Sequence, residues 1–303
     1  MTLSASAPPT TRASRISPSD VRGLVSGTRR ILARGDLAAA AATMTYYAAI
    51  AVVPWVLLAI WSTTWVRGAS DAASTWLGLD VLIPPAMGGR EVFDEAVAVG
   101  TGLSALSALV LLFPASFYGE GLRRACLTLY PEKDRFTGWR SRLSILALFV
   151  LVPPLTHVAV AVGGSITGLA PDGGGTGGFW DLAARVVIGF VTVWLTVAAA
   201  LTWVYWKVTP GGPSLAVAAV TALGTASFIA GFVQGFLLFL SLPIDVGIPY
   251  GGLRVIGGVV AAGLWLFVLH ILVIVGWAVG QALGEVRKAG VRRAGARAGD
   301  DAG

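Results

Sequence analysis

Charge is scarce in this chain. Charged residues occupy 13% of 303 positions, about half of the ~25% that a water-facing domain carries. That shortage leaves too little polar material to cover a soluble surface. The 55% apolar content and mean hydropathy of +0.77 instead fit a chain that lives in lipid. Cysteine is scarcer still. Cys126 stands alone, which excludes an intrachain disulfide and a multi-cysteine metal site. The two histidines, His157 and His270, fall in different apolar stretches. No H-E-x-x-H, no Gly-rich loop ending in Lys-Ser or Lys-Thr and no G-x-S-x-G elbow occurs, so zinc hydrolase, P-loop and serine hydrolase chemistry all lack their residues. Neither catalytic residues nor a metal nor a cofactor is expected. Residues 1–35 are rich in Ser, Pro and Arg without a long apolar core, so they do not read as a cleaved signal peptide.

What the chain has in quantity is long apolar runs. A bilayer core needs about 20 apolar residues of helix, and six stretches supply them, at roughly 37–65, 97–118, 143–166, 182–206, 215–240 and 253–283. The expected fold is all-α: a polytopic membrane protein of six kinked transmembrane helices. Eighteen Lys and Arg residues flank these spans on one side and four on the other, so the positive-inside rule puts both termini in the cytoplasm. The organisation that follows is a disordered arm over 1–16, an amphipathic surface helix over 17–35, a membrane domain over 36–284 and a basic, then acidic, disordered tail over 285–303. Ser17, Pro18 and Asp20 form a helix-start signature, and Val21, Leu24, Val25, Thr28 and Leu32 fall on one face of the helix they begin. The net charge of +6 reads as this topology signal beside anionic lipid, not as affinity for nucleic acid. The expected partners are the bilayer, with anionic inner-leaflet lipid at the basic N-terminal helix and the cytoplasmic loop after span two, and a possible second copy of the chain.

Within the spans, "TMTYYAAIAVVPWVLLAI" (43–60) combines Tyr46-Tyr47 with a helix-interior Pro54. Pro114 and Pro153-Pro154 repeat the device in spans two and three. Proline removes a backbone donor, which lipid tolerates only where neighbouring groups serve the freed carbonyl. Such breaks either line a transporter cavity or shape a bundle. Polar groups at membrane depth are the default place to look for function, and here they are His157, His270 and Gln234. Asp36 and Glu120 stand at the cytoplasmic boundary, within reach of Arg34, Arg123 and Arg124. Gly276, Gly280 and Gly284 on span six, with Gly231 and Gly235 on span five, form small-residue ridges that let helix backbones approach.

Four segments in order, "DLAAAAATMTYYAAIAVVPW", "FPASFYGEGLRRA", "VTPGGPSLAVAAV" and "YGGLRVIGGVVAAGLWLFVLHILVIVGWAVGQAL", resemble the YihY / virulence factor BrkB family of bacterial inner-membrane proteins. The resemblance runs from Asp36 to Leu283. It implies a multi-pass protein with six spans and cytoplasmic ends in the bacterial inner membrane, and transport is often supposed for the family. An older ribonuclease label for it is regarded as mistaken, in keeping with the missing metal ligands here. Asp36, Tyr46, Tyr47, Pro54, Ser116, Pro210, Gly211, Tyr250, Gly251, Trp265 and Gly276 match the family pattern. Val53 stands where a serine usually precedes the proline, and Arg124 or Ala125 stands near a usual asparagine. The expectation is a solute cavity bounded by spans one, two and six, with Tyr46 and Tyr250 supplying hydroxyls. A non-transporting scaffold is the alternative, and a membrane nuclease the remote one.

Overall fold

The computed structural model describes residues 18–65, 89–130, 138–150, 179–241 and 246–300. Regular structure in them is helical throughout. His157, the Pro153-Pro154 pair, residues 151–166 of the third expected span and the glycine-rich linker after it lie outside the described residues.

α1 (Pro18–Leu32) carries Asp20 in its first turn and Arg29 and Arg30 in its last, each complementing the helix dipole. α2 (Leu37–Thr63) starts at Asp36, whose Oδ1 accepts from Ala39 N at 3.0 Å. This N-cap satisfies an otherwise orphaned donor, so the carboxylate expected to pair with an arginine serves as a helix cap. α3 (Gly89–Thr101) is a separate short helix. α4 (Ala105–Leu129) begins at Ser104, whose Oγ accepts from Ser107 N at 3.1 Å. The second span therefore shifts from the expected 97–118 to 105–129, because the Thr101–Ser104 break and its new cap restart the helix.

α5 (Trp139–Leu146) continues into a 3-10 turn, Ala147–Val150. α6 (Phe179–Trp203) ends in a π turn, Val204–Val208. α7 is Leu215–Ser241. A 3-10 turn, Ile248–Tyr250, then leads through Gly251 and Gly252, at φ of 64° and 86°. Those left-handed angles suit glycine, and they let Gly252 N reach Gly247 O at 2.9 Å. α8 (Arg254–Asp300) extends well past the expected end at 283. The residues expected as a disordered tail are rich in Ala and Arg, strong helix formers, and they propagate a helix already nucleated in the bundle.

Five of these helices are long and apolar enough to cross a membrane: Leu37–Ser62, Ala105–Leu129, Phe190–Val208, Leu215–Gly235 and Arg254–Arg292. α2 lies between α4 and α8, α7 lies between α8 and α6, and α5 bridges α4 to the π turn. Tyr47 meets Gly121, Trp55 meets Ala115 and Leu58 clusters with Ala108, so α2 and α4 run antiparallel. Thr225 faces Gly276 and Thr221 faces Gly280, so α7 and α8 do likewise. Tyr130 at the end of α4 reaches Glu285 of α8, and Ser141 of α5 joins Gly119 of α4 to Val208 at the end of α6. α4, α6 and α8 thus all point to one end of the bundle.

Both prolines sit inside unbroken helices. Pro54 is buried, and the next residue, Trp55, donates from Nε1 to Ala115 O at 3.1 Å, beside Pro114. Ser116 Oγ donates to Phe113 O at 2.6 Å in the same turn. The prolines shape the α2–α4 packing, and neither helix is broken by them. α1, expected to lie on the leaflet, is docked on α8 through glycines, with a Cβ at Gly27 falling 3.1 Å from that of Ala282, and through an Arg30–Glu285 ion pair of 2.9 Å. Its Val21 and Val25 stay exposed.

The glycine ridges divide. At Gly276 a side chain would run into Thr225 and the Tyr205 hydroxyl, and at Gly280 one would meet Thr221 at 3.4 Å. At Gly231, Gly235 and Gly284 no described atom comes within 4 Å of where a Cβ would stand. Gly276→Val should therefore destabilise the protein by about 1–3 kcal/mol through overpacking, lowering its midpoint of thermal unfolding in detergent. Gly231→Val should leave that midpoint near wild type.

Candidate functional site

Two groups of polar side chains meet around α2 and α4. The first lies around the buried His270, with Thr45 and Tyr118 half-buried beside it. Thr45 lies on α2, His270 on α8 and Tyr118 on α4, and Thr45 Oγ1 stands 2.9 Å from His270 Nδ1. The same hydroxyl donates to Ala41 O at 2.9 Å. Its single proton is then committed, so His270 donates from Nδ1 and keeps Nε2 as an acceptor, a tautomer assigned by the network. The Tyr118 ring lies 5.9 Å from that of His270, and His270 is buried. One turn further along α8, Tyr205 donates from its hydroxyl to Val273 O at 2.9 Å. That tyrosine belongs to the π turn, and Val208 O at the end of the same turn accepts from Ser141 Oγ at 3.0 Å. Wide turns of this kind collect at functional positions.

The second group is charged and lies nearer the end toward which α4 points. Glu120 is buried, yet it is surrounded by cations. Arg123 Nη2 and Arg124 Nε reach its Oε1 at 3.0 and 2.7 Å, and Arg142 Nε stands 3.9 Å from Oε2. Spacings of three and four residues put Arg123 and Arg124 on the same face of α4 as Glu120. Arg142 comes from α5, which can approach because Gly119 has no side chain to strike Ser141. Gly138 lies against the Glu120 carboxylate for the same reason. Two of these cations also face aromatic rings: the Arg124 guanidinium is 5.8 Å from the Tyr47 centroid, and that of Arg142 is 4.6 Å from Phe117. Tyr47 and Phe117 stack at 6.2 Å across the α2–α4 seam, and Tyr46 and Phe113 extend the line edge-on at either side.

The expected residues scatter. Tyr46 is 65% exposed on the outside of the bundle, and Tyr250 is 37% exposed in the turn before α8. Thr45 touches His270, and sixteen residues of α8 separate His270 from Arg254, about 24 Å of helix axis. Tyr46 and Tyr250 therefore sit at different depths and do not share a cavity. Gly251 shapes the turn beside Tyr250, Gln234 is half-buried on α7, and Ser116 bonds within its own helix. His157 cannot be placed among the described residues. Thr45, Phe117, Tyr118, Arg142 and Tyr205 join the site without having been singled out. A threonine one position before the tyrosine pair, at membrane depth, was the readable hint.

The Glu120 cluster generates a direct expectation. Breaking a buried ion pair from one side leaves uncompensated charge and costs about 3–5 kcal/mol. Because Arg124 reaches solvent, Glu120→Ala should fall at the low end, about 3 kcal/mol, read as a lowered unfolding midpoint in detergent. An unchanged midpoint would show that the carboxylate does not organise the three arginines.

A family model described as Virulence factor BrkB matches residues 29–301. No curated protein and no solved structure matches the chain. The matched stretch takes in α1 from its last turn, every apolar helix and both polar groups, and the chain belongs to the Virulence factor BrkB family, as a membrane protein.

Proposed function

We propose that this membrane protein crosses the bacterial inner membrane six times with both termini cytoplasmic, and that it moves a small or amphiphilic solute. The topology draws support from the chain path. The described helices agree in direction, with α4, α6 and α8 all pointing to one end, and the sequence supplies a sixth apolar stretch at 143–166. The arginine-rich end is the one to which α4, α6 and α8 point, as the positive-inside rule asks.

The observation that carries the transport reading is the contact of half-buried Thr45 with buried His270, with Tyr118 beside it, where α2, α4 and α8 converge. A histidine held at membrane depth is a functional hypothesis by default, and His270 retains an unused acceptor nitrogen in this network. In place of the expected cavity joining Tyr46 and Tyr250, the solute path in this reading runs beside the Thr45–His270 contact. In this reading the protein is a carrier and not an enzyme. Anionic lipid is its companion at the basic end, where α1 and α8 flank an apolar groove of about 580 Å³ lined by Leu24, Val25, Leu32 and Val279, with Arg29 on its edge.

A second reading, the scaffold, is favoured by α7. Gly224, Gly231 and Gly235 present no described neighbour, and Val220 and Phe228 on that helix are exposed. A second copy of the chain or another membrane helix would fit such a face.

The test is reconstitution into zwitterionic vesicles, with flux followed for a panel of soluble anions and for a fluorescent-tailed anionic amphiphile. Wild-type protein should exceed protein-free vesicles for at least one probe. His270→Leu should reduce that rate about tenfold, the equivalent of about 1.4 kcal/mol. Flux at the protein-free level across the panel would sink transport, and a stoichiometric crosslinked partner without flux would install the scaffold.

A further inference from the structure

We infer that the seam between α2 and α4 binds an anionic phospholipid, its phosphate held by Arg124 and Arg142 and its acyl chains laid along the aromatic and aliphatic face beside them. This rests on the carrier reading only for its consequence, since it names the class of molecule the protein would handle. The binding itself stands on separate geometry.

Glu120 supplies one negative charge against three guanidiniums, so within this group positive charge exceeds negative by two. The buried carboxylate fixes where the cations sit, and two of them remain partly open, Arg124 with 57% and Arg142 with 29% of the side chain exposed. They stand over neighbouring rings, Arg124 over Tyr47 and Arg142 over Phe117, and those rings are stacked on one another. The two guanidiniums thus stand over the two middle rings of a single aromatic line. Planar guanidiniums suit phosphate oxygens, which they bind through paired N–H donors.

What continues from the cations is apolar. From Tyr47 and Phe117 the line passes to Tyr46 and Phe113, both exposed, and then along Ile50 and Val53 of α2 and Leu109 and Val110 of α4, exposed as well. Each of these residues lies within a membrane-crossing helix. A free phosphate or small carboxylate would use the cations and nothing else. A phospholipid uses both parts, with its charge at the basic end and its chains in the hydrocarbon. That complementarity of charge and surface selects the lipid over a soluble anion.

The approach of the two helices is built for this arrangement. A Cβ at position 121 would fall 2.6 Å from that of Tyr47, so glycine there lets Tyr47 settle against α4 and stack on Phe117. The site is therefore a consequence of close α2–α4 packing.

The full-length protein, reconstituted in vesicles of equimolar phosphatidylglycerol and phosphatidylcholine and then extracted into mild detergent, should retain phosphatidylglycerol in excess when its bound lipid is quantified by native mass spectrometry. Arg124→Gln with Arg142→Gln should cut that excess about tenfold, as expected for losing a charge-assisted hydrogen bond or two. Arg124→Lys with Arg142→Lys keeps Glu120 neutralised, guards against misfolding, and should still lose several-fold of the excess. Lys288→Gln, on the exposed far part of α8, should change nothing. Equal retention of the two lipids, or retention untouched in both arginine variants, overturns the inference, and so does displacement of the lipid by inorganic phosphate. Lipid retention with no solute flux would sink the carrier reading alone, whereas flux without selective retention would sink this site alone.

Discussion

Inside a bilayer no water stands ready to satisfy a polar group, so each one must find its partner in the protein. That constraint organises the bundle. Thr45 joins His270 across α2 and α8, Trp55 joins Ala115 O across α2 and α4, Tyr205 joins Val273 O across α6 and α8, and Trp194 joins Leu223 O across α6 and α7. Contacts of this kind contribute about 0.6–2 kcal/mol each. Hydrophobic burial gives helices in lipid little reason to associate, so these few bonds and the small residues beside them set which helices meet. Trp277 is the exception among the described residues, its buried indole N–H lacking an acceptor, and nothing in the structure explains it.

The same constraint makes sense of proline in the spans. Pro54 is buried, and Trp55 beside it donates from its indole to Ala115 O, one residue past Pro114 on α4. Two irregular positions thus become one interhelical joint. Away from that joint, the ion pairs of Glu120 and Glu285 lie at the end where α4, α6 and α8 finish. There Glu120 gathers arginines from two elements, while Glu285 receives Arg30 from α1 and the Tyr130 hydroxyl at 3.5 Å. The bundle is therefore apolar along most of its length and electrostatically stitched at one end.

Length and apolarity made four of the expected spans readable to within a few residues at most of their boundaries, because each is a continuous run. Where local chemistry competes with hydropathy, the reading shifted. Valine and glycine at 97–102 look like membrane sequence, yet the cap at Ser104 starts a new helix. Charged residues after 284 look like tail, yet they carry α8 onward to Asp300. The π turn at Val204–Val208 has no signature of its own in the sequence, and within it Tyr205 and Val208 O take partners from α8 and α5. Tyr46 and Tyr250 share motif-like settings and could be grouped by sequence, but depth along α8 separates them. Glu120 with Arg123 and Arg124 was legible because three- and four-residue spacing is local. Arg142 was not, because it arrives from another helix.

If interhelical polar bonds hold the bundle, the Thr45–His270 contact must be an interaction and not a coincidence of packing. A double-mutant cycle of Thr45→Val and His270→Leu, read as unfolding free energy in detergent, tests this most directly. The account predicts that the double variant loses less than the two single losses added, by a coupling of about 0.6–2 kcal/mol. Strictly additive losses would contradict it.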